Sequence, residues 1–203
     1  MNGRAAADVD VAALPDHAFG HHGLIWWGTV SFMVIEGTMF ITVLVTYYYL
    51  RLRVPSWPPS VPEPRLTWGT VNTLILLVSC IPNHFAKRAA EQYDLAAVRL
   101  WMVLAMVSGA AFLVVRGFEF AALGVSWDTN AYGSVVWVLM GLHTTHLATD
   151  FADSGVLTVL MFTRHGRELR RFVDIAENGL YWYFVVLSWI PIYLTVYFAP
   201  QWL

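Results

Sequence analysis

The residues best able to do chemistry in this chain are two histidines and two aspartates inside one long apolar segment. His143, His146, Asp150 and Asp153 follow one another at spacings of three, four and three residues. In an α-helix these spacings place all four side chains on one stripe of the surface. Imidazole and carboxylate groups can bind metal ions or pass protons, so the stripe is the first candidate for a functional site.

The cost of burying these groups constrains the helix that carries them. Residues 131–163 are largely apolar and long enough to cross a bilayer. An aspartate at the centre of a membrane helix costs roughly 2.5–3.5 kcal/mol unless it faces protein, water or a partner. We therefore expect the stripe to face other helices, bound lipid headgroups or a water-filled entry.

The composition is that of an integral membrane protein. Hydrophobic residues make up 58% and charged residues 13%, against about 45–50% and about 25% in soluble domains. The net charge of −2 argues against a nucleic-acid-binding protein. Cys80 is the single cysteine, so no internal disulfide can form, and no zinc or phosphate-loop motif occurs.

Three further ionisable residues lie inside apolar segments. Glu36 is near the middle of the first segment, where a carboxyl group must be protonated or paired, and it is either a functional residue or a neutral hydrogen-bonded one. Arg116 and Glu119 are three residues apart near the end of the third segment, so they can form an ion pair on one helix face.

Continuous apolar runs predict an all-α polytopic membrane protein with five transmembrane helices. A flexible tail, residues 1–23, precedes a single membrane domain, residues 24–203. The expected spans are about 24–50, 68–86, 99–123, 131–163 and 180–199, with a proline-rich loop after the first and a polar loop at 164–178. Pro191 is expected to kink the fifth span.

The distribution of basic residues predicts the orientation. The tail and the second and fourth loops carry eight Lys and Arg residues, whereas the first and third loops and the C-terminus carry three. Positive charge favours the cytoplasmic side, so the N-terminus is predicted to be cytoplasmic and the C-terminus periplasmic.

Three kinds of function remain open from these residues alone. A metal or haem site on the fourth span needs ligands from other helices, for which Glu36, His84 and Glu119 are the available donors. A proton relay or transporter is possible, although five spans show no internal repeat. The third is an accessory subunit of a larger membrane complex, whose polar stripe faces neighbouring helices.

Five motifs follow one another along the apolar part of the chain. They are Glu36-Gly37-Thr38-Met39-Phe40, Trp57-Pro58-Pro59, Arg116-Gly117-Phe118-Glu119, Ala131-Tyr132-Gly133-Ser134 with Gly141-Leu142-His143-Thr144-Thr145-His146, and Tyr181-Trp182-Tyr183-Phe184-Val185. Through these motifs and their order, residues 24–199 resemble subunit III of the haem-copper cytochrome c oxidases. The chain departs from it at Tyr183 and Val186, where the family has His and Asp, and at Asp150 and Asp153, where small or apolar residues are common.

The resemblance implies a divergent five-span form of a family that typically has seven spans. It implies a non-catalytic subunit of a bacterial inner-membrane oxidase, without metal of its own, beside a catalytic subunit I that holds the haems and copper, and a subunit II. It implies bound phospholipid and support of proton uptake. Glu36 would be the buried carboxylate near the lipid cleft; the interior polar network would be Arg116, Glu119, His143, His146, Asp150 and Asp153.

Two alternatives to this interpretation stay open. A similar subunit accompanies some nitric oxide reductases, and the two cases differ in partner rather than in fold. The other alternative is an independent membrane protein with a metal or proton site on the fourth span.

Overall fold

Five long helices form the chain in a computed structural model that describes residues 18–59, 61 and 64–202. They are α1 (Leu24–Arg51), α2 (Leu66–Glu91), α3 (Leu95–Ala121), α4 (Ala131–Phe162) and α5 (Leu169–Tyr193). A π-helical turn at Leu194–Phe198 and a short α6 (Ala199–Trp202) follow, and no strand occurs in the described part. Most of the predicted tail, residues 1–17, lies outside the described residues.

Within the described part of the chain, four segments are long and apolar enough to cross a membrane: Leu24–Arg51, Leu66–Glu91, Leu95–Ala121 and Leu169–Phe198. Helix α4 is not among them although it has 32 residues. Two histidines and two aspartates, the stripe identified from the sequence, lower its apolar character. The all-helical prediction is therefore confirmed, while α4 is a long helix without a fully apolar surface.

The polar loop predicted before the fifth span is wrong over residues 169–178, because α5 already begins at Leu169. Apolar side chains on one face of this first part are buried, among them Phe172, Val173, Ile175 and Ala176. Charged residues occupy the other face. Such an amphipathic pattern forms a stable helix when its apolar face packs, although its average apolar character is low. Helix α2 extends to Glu91 in the same way, by burying Ala86, Ala89 and Ala90.

The helices pack so that α5 contacts three neighbours. Helix α2 packs against α3 and α5, α4 packs against α3 and α5, and α1 lies at the side on α4 and α5. The buried residues of α1 are Glu36, Phe40 and Tyr47, which form one stripe along the helix. Glu36 is thus the carboxyl group that α1 presents to the rest of the bundle.

Caps and loops fix where the helices begin and end. The side chain of Asp94 accepts hydrogen bonds from the backbone of Ala96 and Ala97 at the start of α3, and Asn130 caps α4 by accepting from Gly133 N–H. The proline-rich loop buries Trp57 against Tyr132 at 5.2 Å between ring centroids. Pro191 lies inside α5, directly before the π-helical turn, where a missing N–H favours such a distortion.

Candidate functional site

The stripe on α4 is divided between two separate polar clusters. His143 is fully buried and faces α3 and α5, whereas His146 and Asp150 face a cleft between α1, α4 and α5. We call the first group, Asn72, Arg116, Glu119, His143 and Tyr197, the inner cluster. We call the second, Glu36, His146, Asp150, Asp153, Asn178 and Tyr181, the cleft cluster.

The carboxylate of Glu119 organises the inner cluster. Its Oε2 accepts from Arg116 Nη1 at 2.9 Å and from Asn72 Nδ2 at 2.7 Å. Its Oε1 accepts from the hydroxyl of Tyr197 at 2.5 Å. Arg116 and Glu119 are each 1% exposed. Both oxygens of this carboxylate are therefore occupied, as a buried charge requires.

Aromatic rings enclose the guanidinium of Arg116. The ring of Trp189 lies 4.1 Å and that of Phe112 4.7 Å from its central carbon, which is cation–π geometry. His143 Nε2 lies 3.0 Å from the carbonyl oxygen of Val185 and must donate to it. Its Nδ1 then faces the Arg116 Nη2 donor at 3.4 Å as an acceptor. His143 is thereby a neutral imidazole with both nitrogens engaged.

Glu36 and His146 form the centre of the cleft cluster. Glu36 Oε1 lies 3.0 Å from His146 Nε2, and Glu36 Oε2 accepts from the hydroxyl of Tyr181 at 2.7 Å. His146 Nδ1 lies 2.6 Å from the carbonyl oxygen of Leu142, so this nitrogen carries a proton. One further proton is then shared between Nε2 and Oε1, and the pair is either imidazolium with carboxylate or imidazole with carboxylic acid.

An asparagine connects the two aspartates of the stripe. Asn178 Nδ2 donates to Asp150 Oδ1 at 2.9 Å and to Asp153 Oδ2 at 3.3 Å. Its Oδ1 accepts from the hydroxyl of Ser154 at 2.9 Å. Asp150 is 5% exposed and its Oδ2 has no hydrogen-bond partner in the protein. Asp153 is exposed. The inner of the two carboxylates is thus the one left incompletely satisfied.

The cleft that contains these groups has a volume of about 690 Å³. It extends along α1 from Ile25 to Glu36, which at 1.5 Å per residue is roughly 16 Å. Apolar residues such as Phe32, Val156 and Leu160 form much of its wall, and charged residues gather where α4 ends and α5 begins. The cleft is thus an apolar groove with a row of polar side chains along it. This row runs from the charged residues near the start of α5 to Glu36.

The possible metal ligands do not converge on one point in the described part of the chain. No group of three or more His, Cys, Asp or Glu side chains there is placed to hold a metal ion. The donors considered from the sequence are spread apart: Glu119 is engaged in the inner cluster, and His84 contacts the hydroxyl of Tyr183 at 3.3 Å.

The structure brings the predicted site residues together in part. Arg116 and Glu119 form the ion pair expected from their spacing, and Glu36 reaches His146 of the stripe. The stripe is not one continuous network, because its first histidine turns into the inner cluster. Sequence reasoning gave no role to Asn72, Asn178 or Tyr197, although two asparagines inside apolar helices are a signal for buried hydrogen bonds.

Comparison with known proteins identifies the family. Residues 9–201 match the sequence profile described as cytochrome c oxidase subunit III. The chain is 32% identical over 200 residues to cytochrome c oxidase subunit 3 of a Synechocystis strain, covering 95% of this chain and 84% of the relative. It is 29% identical over 191 residues to that of Thermostichus vulcanus, covering 92% of each. A probable cytochrome c oxidase subunit 3 of Nocardia farcinica is 26% identical over 192 residues, covering 90% of this chain and 92% of the relative. These matches confirm the resemblance carried by the five motifs, and the chain therefore belongs to the cytochrome c oxidase subunit III family.

Proposed function

We propose that this chain is the non-catalytic subunit III of a haem-copper terminal oxidase, assembled with a catalytic subunit I and a subunit II in a bacterial inner membrane. The observation that carries the proposal is the family match over residues 9–201. In this complex the haems and copper belong to the partner subunits. This chain contributes helices, a buried ion-pair network and a cleft.

Within the membrane, all five long helices cross the bilayer. Helix α4 spans it despite its polar stripe, since His143 contacts α3 and α5, His146 contacts α1, and Asp150 is held by Asn178 of α5. The excess of basic residues in the tail and in the loops after α2 and α4 puts these segments on the cytoplasmic side. The cleft then opens toward the cytoplasm, because α1 and α5 begin there and α4 ends there.

The outer face of α1 supports assembly with further hydrophobic material. Only 11% of an apolar 18-residue stretch of α1 is buried within this chain. Exposed side chains along it include Val34, Ile35, Ile41 and Val45, each more than half exposed. A continuous apolar surface of this kind is covered by acyl chains or by a partner helix in a membrane complex.

The cleft is the part of the chain that serves phospholipid binding and proton uptake. Its apolar wall suits acyl chains, and the shared proton of Glu36 and His146 lies beside that wall. Glu36 is thus the buried carboxylate of the lipid cleft, and it connects lipid occupancy with a proton-carrying group. The inner cluster, whose Glu119 has both oxygens occupied, holds α2, α3, α4 and α5 together.

Purification of the complex in mild detergent tests this function. A tag on this chain is expected to bring down a large catalytic subunit with the absorbance bands of a haem-copper oxidase. An unrelated tagged membrane protein from the same cells is the control for nonspecific capture. A nitric oxide reductase as the partner, or isolation of this chain alone with bound metal, would contradict the proposal.

A further inference from the structure

Negative charge accumulates in the cleft beyond what its cations can balance. Five carboxyl groups line it: Glu36, Asp150, Asp153, Asp174 and Glu177. Arg171 is the one arginine of the lining, and it is already paired with Asp174 at 2.8 Å. Glu36 has His146 as its partner. Asp153 is exposed, so among the remaining carboxyl groups the cost of burying a charge applies to Asp150 and Glu177, which are each 5% exposed.

Asp150 and Glu177 are each 5% exposed, line the cleft and have one carboxyl oxygen without a hydrogen bond within the protein. They differ in their charged neighbours, because Lys87 acts on Glu177, whereas Asp153 and Glu36 act on Asp150. Asp150 therefore has the stronger need for a proton on its Oδ2. Asn178 holds the other oxygen, Oδ1, at 2.9 Å and so fixes the orientation of the carboxyl group. Described residues provide no third donor that could complete a metal site here. A proton on Oδ2 removes the buried charge without any further ligand.

The position of Asp150 links the charged end of the cleft with the Glu36–His146 pair. Asp150 is one helical turn from His146 on α4, about 6 Å along the helix axis. It lies close enough to Glu36 and Tyr181 to interact with them electrostatically. On its other side Asn178 connects it to Asp153, which is exposed. Three titratable positions therefore follow one another from the cleft mouth inward.

We propose that Asp150 is a proton-exchange residue that takes up protons from the cytoplasmic mouth of the cleft and delivers them to the Glu36–His146 pair, with Asn178 as its positioning residue. This inference rests on the proposed function for the direction of uptake. It assigns a role to Asp150, at a position where small or apolar residues are common in the family.

The transfer balances without any redox partner. A hydronium ion in the cleft gives one proton to Oδ2 of Asp150, forming a neutral carboxylic acid and a water molecule. The acid then releases this proton through water to the Glu36–His146 pair, which changes from one shared proton to two, as imidazolium beside carboxylic acid. Asp150 returns to the carboxylate. The cleft volume of about 690 Å³ is ample for the water molecules involved.

Infrared difference spectroscopy of the complex purified with this chain tests the protonation of Asp150. Aspartate labelled with heavy carbon at its side-chain carboxyl identifies the carbonyl stretch of a protonated aspartic acid. We expect Asp150→Asn to lose one label-sensitive acid band. Asp153→Asn is the matched control, since it makes the same substitution at the exposed acceptor of Asn178 and should retain the band. Survival of the band in Asp150→Asn, or its loss in Asp153→Asn, would overturn the proposal.

Two further measurements distinguish a proton that Asp150 exchanges during turnover from one that stays bound. They also keep the test informative if a variant fails to assemble. With a pH-sensitive dye during a single turnover, proton uptake is expected to slow severalfold in Asp150→Asn and to recover in Asp150→Glu. Unchanged uptake with a lost band would mean that the proton is bound but not exchanged. Asp150→Glu keeps a carboxyl group, so its acid band must persist and lose label sensitivity even where Asp150→Asn does not assemble.

If the chain is not subunit III of an oxidase complex, that result can be distinguished from a failure of the proposal that Asp150 exchanges protons. The ratio of haem to this chain after purification reports the first. The label-sensitive band reports the second, in whatever assembly the chain is purified with.

Discussion

The inner cluster allows a quantitative prediction for Glu119→Gln. Arg116 is 1% exposed and Glu119 is its carboxylate partner at 2.9 Å. Removing one partner of a buried ion pair costs about 3–5 kcal/mol, because the other charge stays buried without compensation. The amide oxygen can replace Oε2 as the acceptor for Asn72 and Arg116, but the NH2 group at the Oε1 position cannot accept the hydrogen bond that Tyr197 donates there. We expect a loss of about 3–5 kcal/mol, roughly two to four orders of magnitude in the unfolding equilibrium.

A second substitution, Arg116→Met, tests whether the loss of stability comes from the unpaired charge or from the changed shape of the side chains. Arg116→Met places an apolar chain between Phe112 and Trp189, which already enclose the guanidinium. Replacing a buried pair by apolar groups of similar size is often neutral or stabilising. The double variant Arg116→Met/Glu119→Gln should therefore be more stable than Glu119→Gln alone. Such a coupling is what a double-mutant cycle measures.

Unfolding in mixed micelles with increasing dodecyl sulfate, followed by helical circular dichroism, provides the free energies. Glu168→Gln is the control, because it makes the same substitution at a side chain that is 48% exposed; it should stay within about 0.5 kcal/mol of the unsubstituted chain. A cost below about 1 kcal/mol for Glu119→Gln, or simple addition of the two single effects in the double variant, would show that the buried ion pair does not stabilise the fold in this way.

Three further predictions concern other parts of the chain. In Gly69→Ala the new Cβ would lie 2.5 Å from the ring of Tyr197, so thermal unfolding should show a loss of about 1–3 kcal/mol, while Gly28→Ala, which meets nothing within 4 Å, should be neutral or gain about 0.4–1 kcal/mol. Glu36→Gln should leave the subunit content of the purified complex intact and slow its proton uptake; dissociation of the complex would instead identify a structural anchor. The hydrogen bond from His165 lowers the pKa of Glu168, so His165→Ala should raise that pKa in a titration followed by nuclear magnetic resonance, and an unchanged pKa would contradict this cause.

Composition and apolar runs were sufficient to predict the helices, because the cost of unsatisfied backbone groups in a membrane leaves helices as the solution for continuous apolar segments. The same reasoning missed the first ten residues of α5, where helix formation depends on one buried face rather than on average apolar character. Tertiary packing therefore determines that the helix begins at Leu169. In the sequence, this early start is indicated only by the spacing of Phe172, Ile175 and Ala176.

The spacing of the stripe predicted a shared face but not its division. His143 and His146 are only three residues apart, yet the first contacts Arg116 and Val185 while the second contacts Glu36. Residues at that spacing differ by about 60° around a helix of 3.6 residues per turn. This rotation is enough to place two neighbours on opposite sides of an interface. Which partners they meet depends on α1 and α5, whose positions the sequence of α4 does not contain.

The two clusters differ in how completely their carboxyl groups are satisfied, and that difference separates structural from functional roles. Glu119 has both oxygens occupied by donors from three helices or turns, so any proton added there would break existing hydrogen bonds. Asp150 has one oxygen held by Asn178 and one that no protein donor contacts, so its carboxyl group can change protonation without breaking a hydrogen bond. A buried carboxylate whose oxygens are both hydrogen-bonded rigidifies a fold, whereas one with an unpartnered oxygen is costly to bury without a proton or ligand. Substitutions in the inner cluster should therefore change stability first, and those in the cleft should change proton uptake while the helices remain assembled.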